Sequence, residues 1–190
     1  LTPAEVLDFW FGAPGSAERG RARPEWFRKD PASDSRIRER FGALHGLAAS
    51  GGLAEWEREP GPALALVIVL DQFSRNLYRG DARAFAQDAR ALALARAVIA
   101  AGWDRTRTPL ERQFLYLPFE HAEDLAEQDR GVELMRSLEE HPETKGLAEW
   151  AEKHRVIIRR FGRFPHRNAA LGRDSTPEEI EFLKGPGSSF

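Results

Sequence analysis

Three times the chain repeats one short signal: Thr2-Pro3-Ala4-Glu5, Thr108-Pro109-Leu110-Glu111 and Thr176-Pro177-Glu178-Glu179. A threonine hydroxyl can accept from the free backbone amide at the third helical position, and glutamate there can bond back to the threonine amide. Proline at the first helical position loses no hydrogen bond and brings its φ already set. One match constrains little. Three of them, spread along the whole chain, predict an all-α protein.

Apolar periodicity fills in the helices between these signals. Val6, Leu7, Trp10 and Phe11 share one side of a first helix that stops at Gly12. A Gly-, Pro- and Arg-rich loop leads to Trp26 and Phe27 as an anchor. Ile37, Phe41, Leu44 and Ala48 then mark a second helix that ends at Ser50-Gly51-Gly52. After the break Glu59-Pro60-Gly61-Pro62 comes the longest apolar run, Ala63 to Leu70, followed at once by Asp71, Gln72, Arg75, Asn76 and Arg79. This stretch reads as a central buried helix that delivers polar groups from its C-terminal end. An Ala-rich helix is expected over 84–101, and another from Pro109 carrying Leu110, Phe114, Leu117, His121 and Leu125. Pro118 should kink or break that helix, which continues through Leu134 and Leu138. Leu147, Trp150, His154, Ile157, Ile158 and Phe161 mark a further helix closed by Gly162, and Pro177 starts the last one. About eight helices in an antiparallel array or bundle follow, with no convincing strand and no fixed repeat. Residues 1–184 read as a single domain, and 185–190 as a flexible tail.

Length and composition bound the function classes. The chain has 190 residues, enough for one domain with a real core. A formal net charge of −2 gives no global field toward nucleic acid or an anionic membrane, so neither is expected as a partner. With no cysteine there is no thiolate nucleophile, disulfide or cysteine-held zinc. The apolar run is too short to cross a bilayer. The first residues form a helix start, not a basic segment followed by an apolar one, which leaves the cytoplasm as the expected location.

Charge is segregated where chemistry could arise. Residues 118–129 hold Glu120, Glu123, Asp124, Glu127 and Asp129 with His121 and no cation; residues 154–173 hold Arg155, Arg159, Arg160, Arg163, Arg167 and Arg173 and no carboxylate. Either the two segments pair, or some arginines stay free to hold a phosphate or carboxylate. His121 and His154 stand on apolar stripes, as buried neutral imidazoles or as a general base tuned by Glu120 or Asp124. Glu120 and Asp124 would share a helix face at this spacing, and mutual repulsion would raise one pKa. Asp71 must be paired if buried, with Arg75 one turn on and Arg163 or Arg167 as competitors. The echo between Phe73-Ser74-Arg75-Asn76 and Phe164-Pro165-His166-Arg167-Asn168 suggests one solution used twice, with asparagine capping free backbone groups. No metal-ligand spacing, nucleophile elbow, phosphate-cradling loop or dinucleotide fingerprint occurs, so no metal and no cofactor are expected.

Four ordered motifs carry a family resemblance: Val6-Leu7-Asp8-Phe9-Trp10-Phe11-Gly12, Leu70-Asp71-Gln72-Phe73-Ser74-Arg75-Asn76, Phe114-Leu115-Tyr116-Leu117-Pro118-Phe119-Glu120-His121 and Gly162-Arg163-Phe164-Pro165-His166-Arg167-Asn168. The chain resembles the bacterial domain of unknown function 924 family from Val6 to about Leu183, with Ser74 where that family has proline. The resemblance implies an all-α fold similar to tetratricopeptide-like arrays and no particular activity. It points to the polar members of its motifs: Asp71, Arg75, Asn76, Glu120, His121, Arg163, His166, Arg167 and Asn168. With Asp124 these form the candidate site. The leading expectation is a polar pocket for a small anionic ligand. Alternatives are a helical scaffold for a peptide or protein, and a hydrolase using the His, Glu and Asp cluster.

Overall fold

All three threonines cap as their spacing demands. In the computed structural model, which describes residues 1–190, Thr2, Thr108 and Thr176 each close a full capping box with Glu5, Glu111 and Glu179. They start α1 (Pro3–Phe11), α6 (Pro109–Glu120) and α10 (Pro177–Leu183). Asp30 does the same work for α2 (Pro31–Ala49) by accepting from the Ala32 and Ser33 amides. The remaining helices are α3 (Pro60–Ile68), α4 (Ser74–Leu77), α5 (Asp88–Ala100), α7 (Leu125–Arg136), α8 (Leu147–Phe161) and α9 (Asn168–Leu171), joined by short 3₁₀ turns. The fold is all-helical, without strands, and no helix is long and apolar enough to cross a membrane.

The apolar run becomes the axis of the core. Every residue from Ala63 to Leu70 is fully buried. α3 packs against α1, α5 and α6, and α2 lies across its C-terminal continuation. That continuation is not ordinary helix. Val69–Phe73 form a π-helical segment between α3 and α4, and the backbone stays right-handed throughout. A π segment carries an extra residue in the turn, which shifts the side chains after it to a new face. Ser74 helps to close the distortion by donating to the Leu70 carbonyl at 2.6 Å, while His45 Nε2 meets the same hydroxyl at 2.7 Å. Periodicity alone offers no sign of this insertion.

The helix expected to run on from Pro109 ends early. α6 continues through Pro118 to Glu120 and stops; Asp124 then caps α7 by accepting from the Glu127 amide. Gln128 bridges the break, donating to the Glu120 and Ala122 carbonyls at 2.6 and 2.8 Å. α7 lies close against α6. A Cβ placed on Gly131 would come 3.1 Å from Phe119 Cβ, which cannot rotate away. The turn 121–124 is therefore held from beneath, and it sets the direction of Glu120 and His121.

Asn76 belongs to this framework. Its amide donates to Asp34 Oδ1 at 2.8 Å, and Arg79 grips the same carboxylate through Nε and Nη2 at 2.6 and 2.9 Å. These bonds tie α4 to the first turns of α2. Replacing Asp34 with alanine leaves a buried amide and a guanidinium without an acceptor. Urea unfolding should show a loss of about 2–3 kcal/mol. A loss below about 0.5 kcal/mol would mean the tie is a solvated surface contact.

Candidate active site

A carboxylate in the middle of an apolar core determines what gathers around it. Asp71 leaves the π segment fully buried, and four donor contacts reach its side chain and carbonyl. His121 Nδ1 lies 2.6 Å from Oδ1, and Gln72 Nε2 donates to Oδ2 at 2.6 Å. Arg75 Nη1 reaches Oδ1 at 3.4 Å and donates to the Asp71 carbonyl at 3.0 Å. Burial alone would raise the Asp71 pKa. The hydrogen bond from His121, the charge of Arg75 and the hydrogen bond from Gln72 outweigh it and hold the group well below the usual carboxylate range.

Arg75 has a stronger partner elsewhere. Its guanidinium forks onto Asp88 at the start of α5, with bonds of 2.9 and 3.0 Å. Arg167 shares that carboxylate at 3.2 Å and donates its other arm to the His121 carbonyl at 2.9 Å. Its guanidinium lies over the Phe85 and Phe164 rings, 4.5 and 4.7 Å from their centroids. Burial and then the charge of Arg75 depress its pKa to about 10, so it stays cationic near neutrality. Its Nε is buried without a partner. Two carboxylates, Asp71 and Asp88, thus face two guanidiniums, Arg75 and Arg167, and the charges cancel.

The imidazoles are neutral, which fixes their protons. An ionised carboxylate can only accept, so His121 carries its proton on Nδ1 and presents the Nε2 lone pair. No protein group bonds that Nε2, and the side chain keeps 13% of its surface open. Burial, then Arg75, lower the His121 pKa against the opposing pull of Asp71. His154 donates from Nδ1 to the Trp150 carbonyl at 2.8 Å. Burial leads the causes that bring its pKa down to about 3. His166 falls to about 4 for the same first reason, with Arg167 adding to it, and its Nδ1 has no partner.

Glu120 is the other buried acid, 2% exposed, and no protein donor bonds its carboxyl. Burial, reinforced by the charge of Asp71, pushes its pKa up to about 8. Its 3.5 Å approach to His154 Nδ1 is therefore a contact between two neutral groups and not a salt bridge. No three His, Asp or Glu side chains are placed to hold a metal ion.

The ten residues singled out from sequence fall into separate places. Asp71, Arg75, Glu120, His121 and Arg167 come together, with His166 on the rim. Arg163 binds Glu179 through Nε and Nη2 at 2.7 and 2.8 Å, and Asn168 donates to Ser175 and Glu179 while accepting from Arg173. Those two fasten α10 to the basic loop. Asn76 serves Asp34, so both asparagines bond side chains where backbone capping was expected. Asp124 caps α7 and shares no face with Glu120, because the helix that would have aligned them ends between them. Of the two charged segments, Glu123 does meet Arg173, at 2.6 and 2.9 Å, and Asp129 meets Arg155. Sequence reasoning missed Asp88, concealed in an alanine-rich helix. Its only signal was an acid at a helix start. It also missed Phe190, which stacks on His154 with centroids 3.8 Å apart, from a segment expected to be a free tail.

Fold and site together define an all-helical protein with a buried, charge-balanced cluster of imidazoles and carboxyls. The chain belongs to the family described as bacterial protein of unknown function (DUF924), whose model matches residues 6–187. Among solved structures it is similar to a protein of unknown function from Agrobacterium tumefaciens, at 41% identity and a TM-score of 0.84. The match covers 96% of this chain and 97% of the other. No curated protein matches the chain.

The protonated Glu120 sets a pH signature. Its folded pKa, about 8, stands above the ordinary 4.5, so the folded form holds a proton that the unfolded chain gives up. Stability should fall as pH rises from 4.5 to 8. The buried histidines act in the opposite sense, losing stability as pH drops from 6.5 toward 4 and 3. Between pH 6.5 and 8 the Glu120 effect stands clear of them, and denaturant melts should show a loss of about 2 kcal/mol. Glu120→Gln should abolish that decline; an unchanged slope in the variant would show that Glu120 ionises as an ordinary acid.

Proposed function

We propose that the Asp71–His121 pair is a general-base dyad, and that the protein is an enzyme of acid–base chemistry acting on a small uncharged substrate, hydrolysis being the reaction class. The observation that carries this reading is the 2.6 Å contact that fixes His121 with its Nε2 lone pair free of any protein partner. A carboxylate behind an imidazole holds the tautomer and stabilises the cation that forms when Nε2 takes a proton. Glu120, still protonated at neutral pH, is the matching donor. In the step, Nε2 accepts a proton from the attacking water, and Glu120 gives its proton to the leaving group. An acid and a base held in opposite protonation states by their surroundings are the usual means of running both halves at one pH.

The charge balance favours an uncharged substrate over the anion expected from the arginine count. Arg75 and Arg167 end on Asp88, and Arg163 ends on Glu179 away from the cluster. An anion would have to displace a carboxylate from a buried guanidinium, which is unfavourable.

Two measurements test the proposal. Nitrogen-15 NMR should find His121 neutral and protonated on Nδ1, with a downfield Nδ1 proton that disappears in Asp71→Asn. On a panel of uncharged esters, lactones and amides, His121→Gln should abolish turnover, and Asp71→Asn should lower kcat by about 10²- to 10⁴-fold with little change in KM. A His121 ring that carries its proton on Nε2, or turnover indifferent to His121→Gln, would sink the reading.

A further inference from the structure

Beside the proposed dyad lies a box of aromatic rings. His154 is its floor. Phe164 meets the floor edge-on with centroids 5.8 Å apart, and His166 stands 5.7 Å from Phe164. The Phe190 ring fills the box: it lies flat on His154 at 3.8 Å and 17°, and meets Phe164 and His166 at 80° and 76°. One parallel face and two edges are the arrangement by which a planar π-system is held. The floor of the box adjoins the acid–base groups. Glu120 is 3.5 Å from the floor histidine, and the His121 ring is 6.3 Å from it.

The occupant is weakly held. Phe190 is 49% exposed, and no hydrogen bond secures Ser189 or Phe190; the last anchor is Ser188 Oγ donating to the Leu183 carbonyl. The walls are firmly held. His154 is 8% exposed and bonded to Trp150, Phe164 is 1% exposed, and the Phe164 amide donates to Glu123 at 2.8 Å. Around this rigid box the buried His166 Nδ1 lacks a partner, and the Glu120 carboxyl has only its 3.5 Å contact with His154. A phenyl ring can satisfy none of them. A ring with a hydrogen-bonding edge can.

We propose that this box is the binding subsite for a planar, uncharged aromatic or heteroaromatic ring bearing a polar group, and that Phe190 is its internal occupant, displaced when such a ring enters. The inference rests on the acid–base reading for its account of what happens next, since the floor histidine adjoins Glu120 and His121. The neutral state of His154 suits an uncharged ring. Because Phe190 competes, the apparent affinity is lowered by the fraction of time the box is filled.

The test uses the full chain with carbon-13-labelled histidine, benzamide as the planar probe and cyclohexanecarboxamide as its non-planar control. In Phe190→Ala, the His154 ring resonances should move downfield as the stacked ring is lost, then return upfield on saturable addition of benzamide. Benzamide should bind this variant about tenfold more tightly than the wild type, the scale of one aromatic stack. Cyclohexanecarboxamide should leave the ring shifts in place. Should circular dichroism show Phe190→Ala unfolded, Phe190→Leu replaces it, filling the volume without stacking. His154 resonances that ignore either substitution, no saturable benzamide effect, or equal response to both amides would overturn the proposal. These outcomes are separable from the fate of the dyad. The Nδ1 proton of His121 reports on Asp71 whether or not the box takes a ring, and a box that binds benzamide while His121→Gln changes no turnover would remove only the catalytic reading.

Discussion

The structure depends on the cost of burying Asp71. Taking a carboxylate out of water is expensive by several kcal/mol unless charges and donors meet it, and Asp71 sits at full burial on the central helix. The π segment makes the meeting feasible. All five of its residues are buried, and from it Asp71 reaches His121 at the end of α6. From there the requirements propagate. Arg75 approaches Asp71 but needs a fuller partner, which brings in Asp88; Asp88 has capacity for a second guanidinium, which brings in Arg167; Arg167 in turn holds the His121 carbonyl and so the turn after α6. Four elements distant in sequence are fixed to one another through a chain of charge-assisted bonds that starts at a single acid.

That chain also decides the protonation states. Its ions sum to zero, so the groups added around it face burial without a strong net field. Imidazoles under burial lose their charge, and the three here are all shifted down. A carboxyl under burial beside an existing anion keeps its proton, as Glu120 does. The cluster therefore holds Asp71 in its ionised form and Glu120 in its protonated form, with a neutral imidazole beside each. Opposite shifts in neighbouring carboxyls arise at sites that move protons more readily than at sites that only hold a fold together.

Much of the fold was legible because its signals are local. Thr108-Pro109-Leu110-Glu111 states a helix start within four residues, and Ala63 to Leu70 can only be core. The need to pair Asp71 was equally readable from its place after that run. The partner was not. Asp88 comes from a helix whose alanines announce close packing and nothing else, and the fork that binds it depends on an inserted π residue that leaves no mark in an apolar pattern. The same limit explains Asp124. Its spacing from Glu120 matches one helical turn, yet the helix stops between them, so a relation assumed from period alone vanished with the element that carried it. Asn76 and Asn168 illustrate a third kind of miss. Arg-Asn after an aromatic looks like one motif twice, and both amides are indeed buried, but one serves α2 and the other α10.

The tail shows how far a site can depend on what covers it. A stretch rich in glycine and serine gives little reason to expect order, and the six residues after Lys184 have that composition. One phenylalanine changes the outcome, because a rigid ring box already exists where it lands. The box does not depend on the tail: Trp150 orients His154, Glu123 anchors Phe164, and Arg167 lies over the ring of the same phenylalanine. Walls that are fixed by the core, together with an occupant fixed only by the walls, make the contact exchangeable. Burial is what keeps Glu120 protonated, and the ring that Phe190 covers, His154, lies 3.5 Å from that carboxyl. Whatever planar group replaces Phe190 on His154 must therefore leave that burial intact.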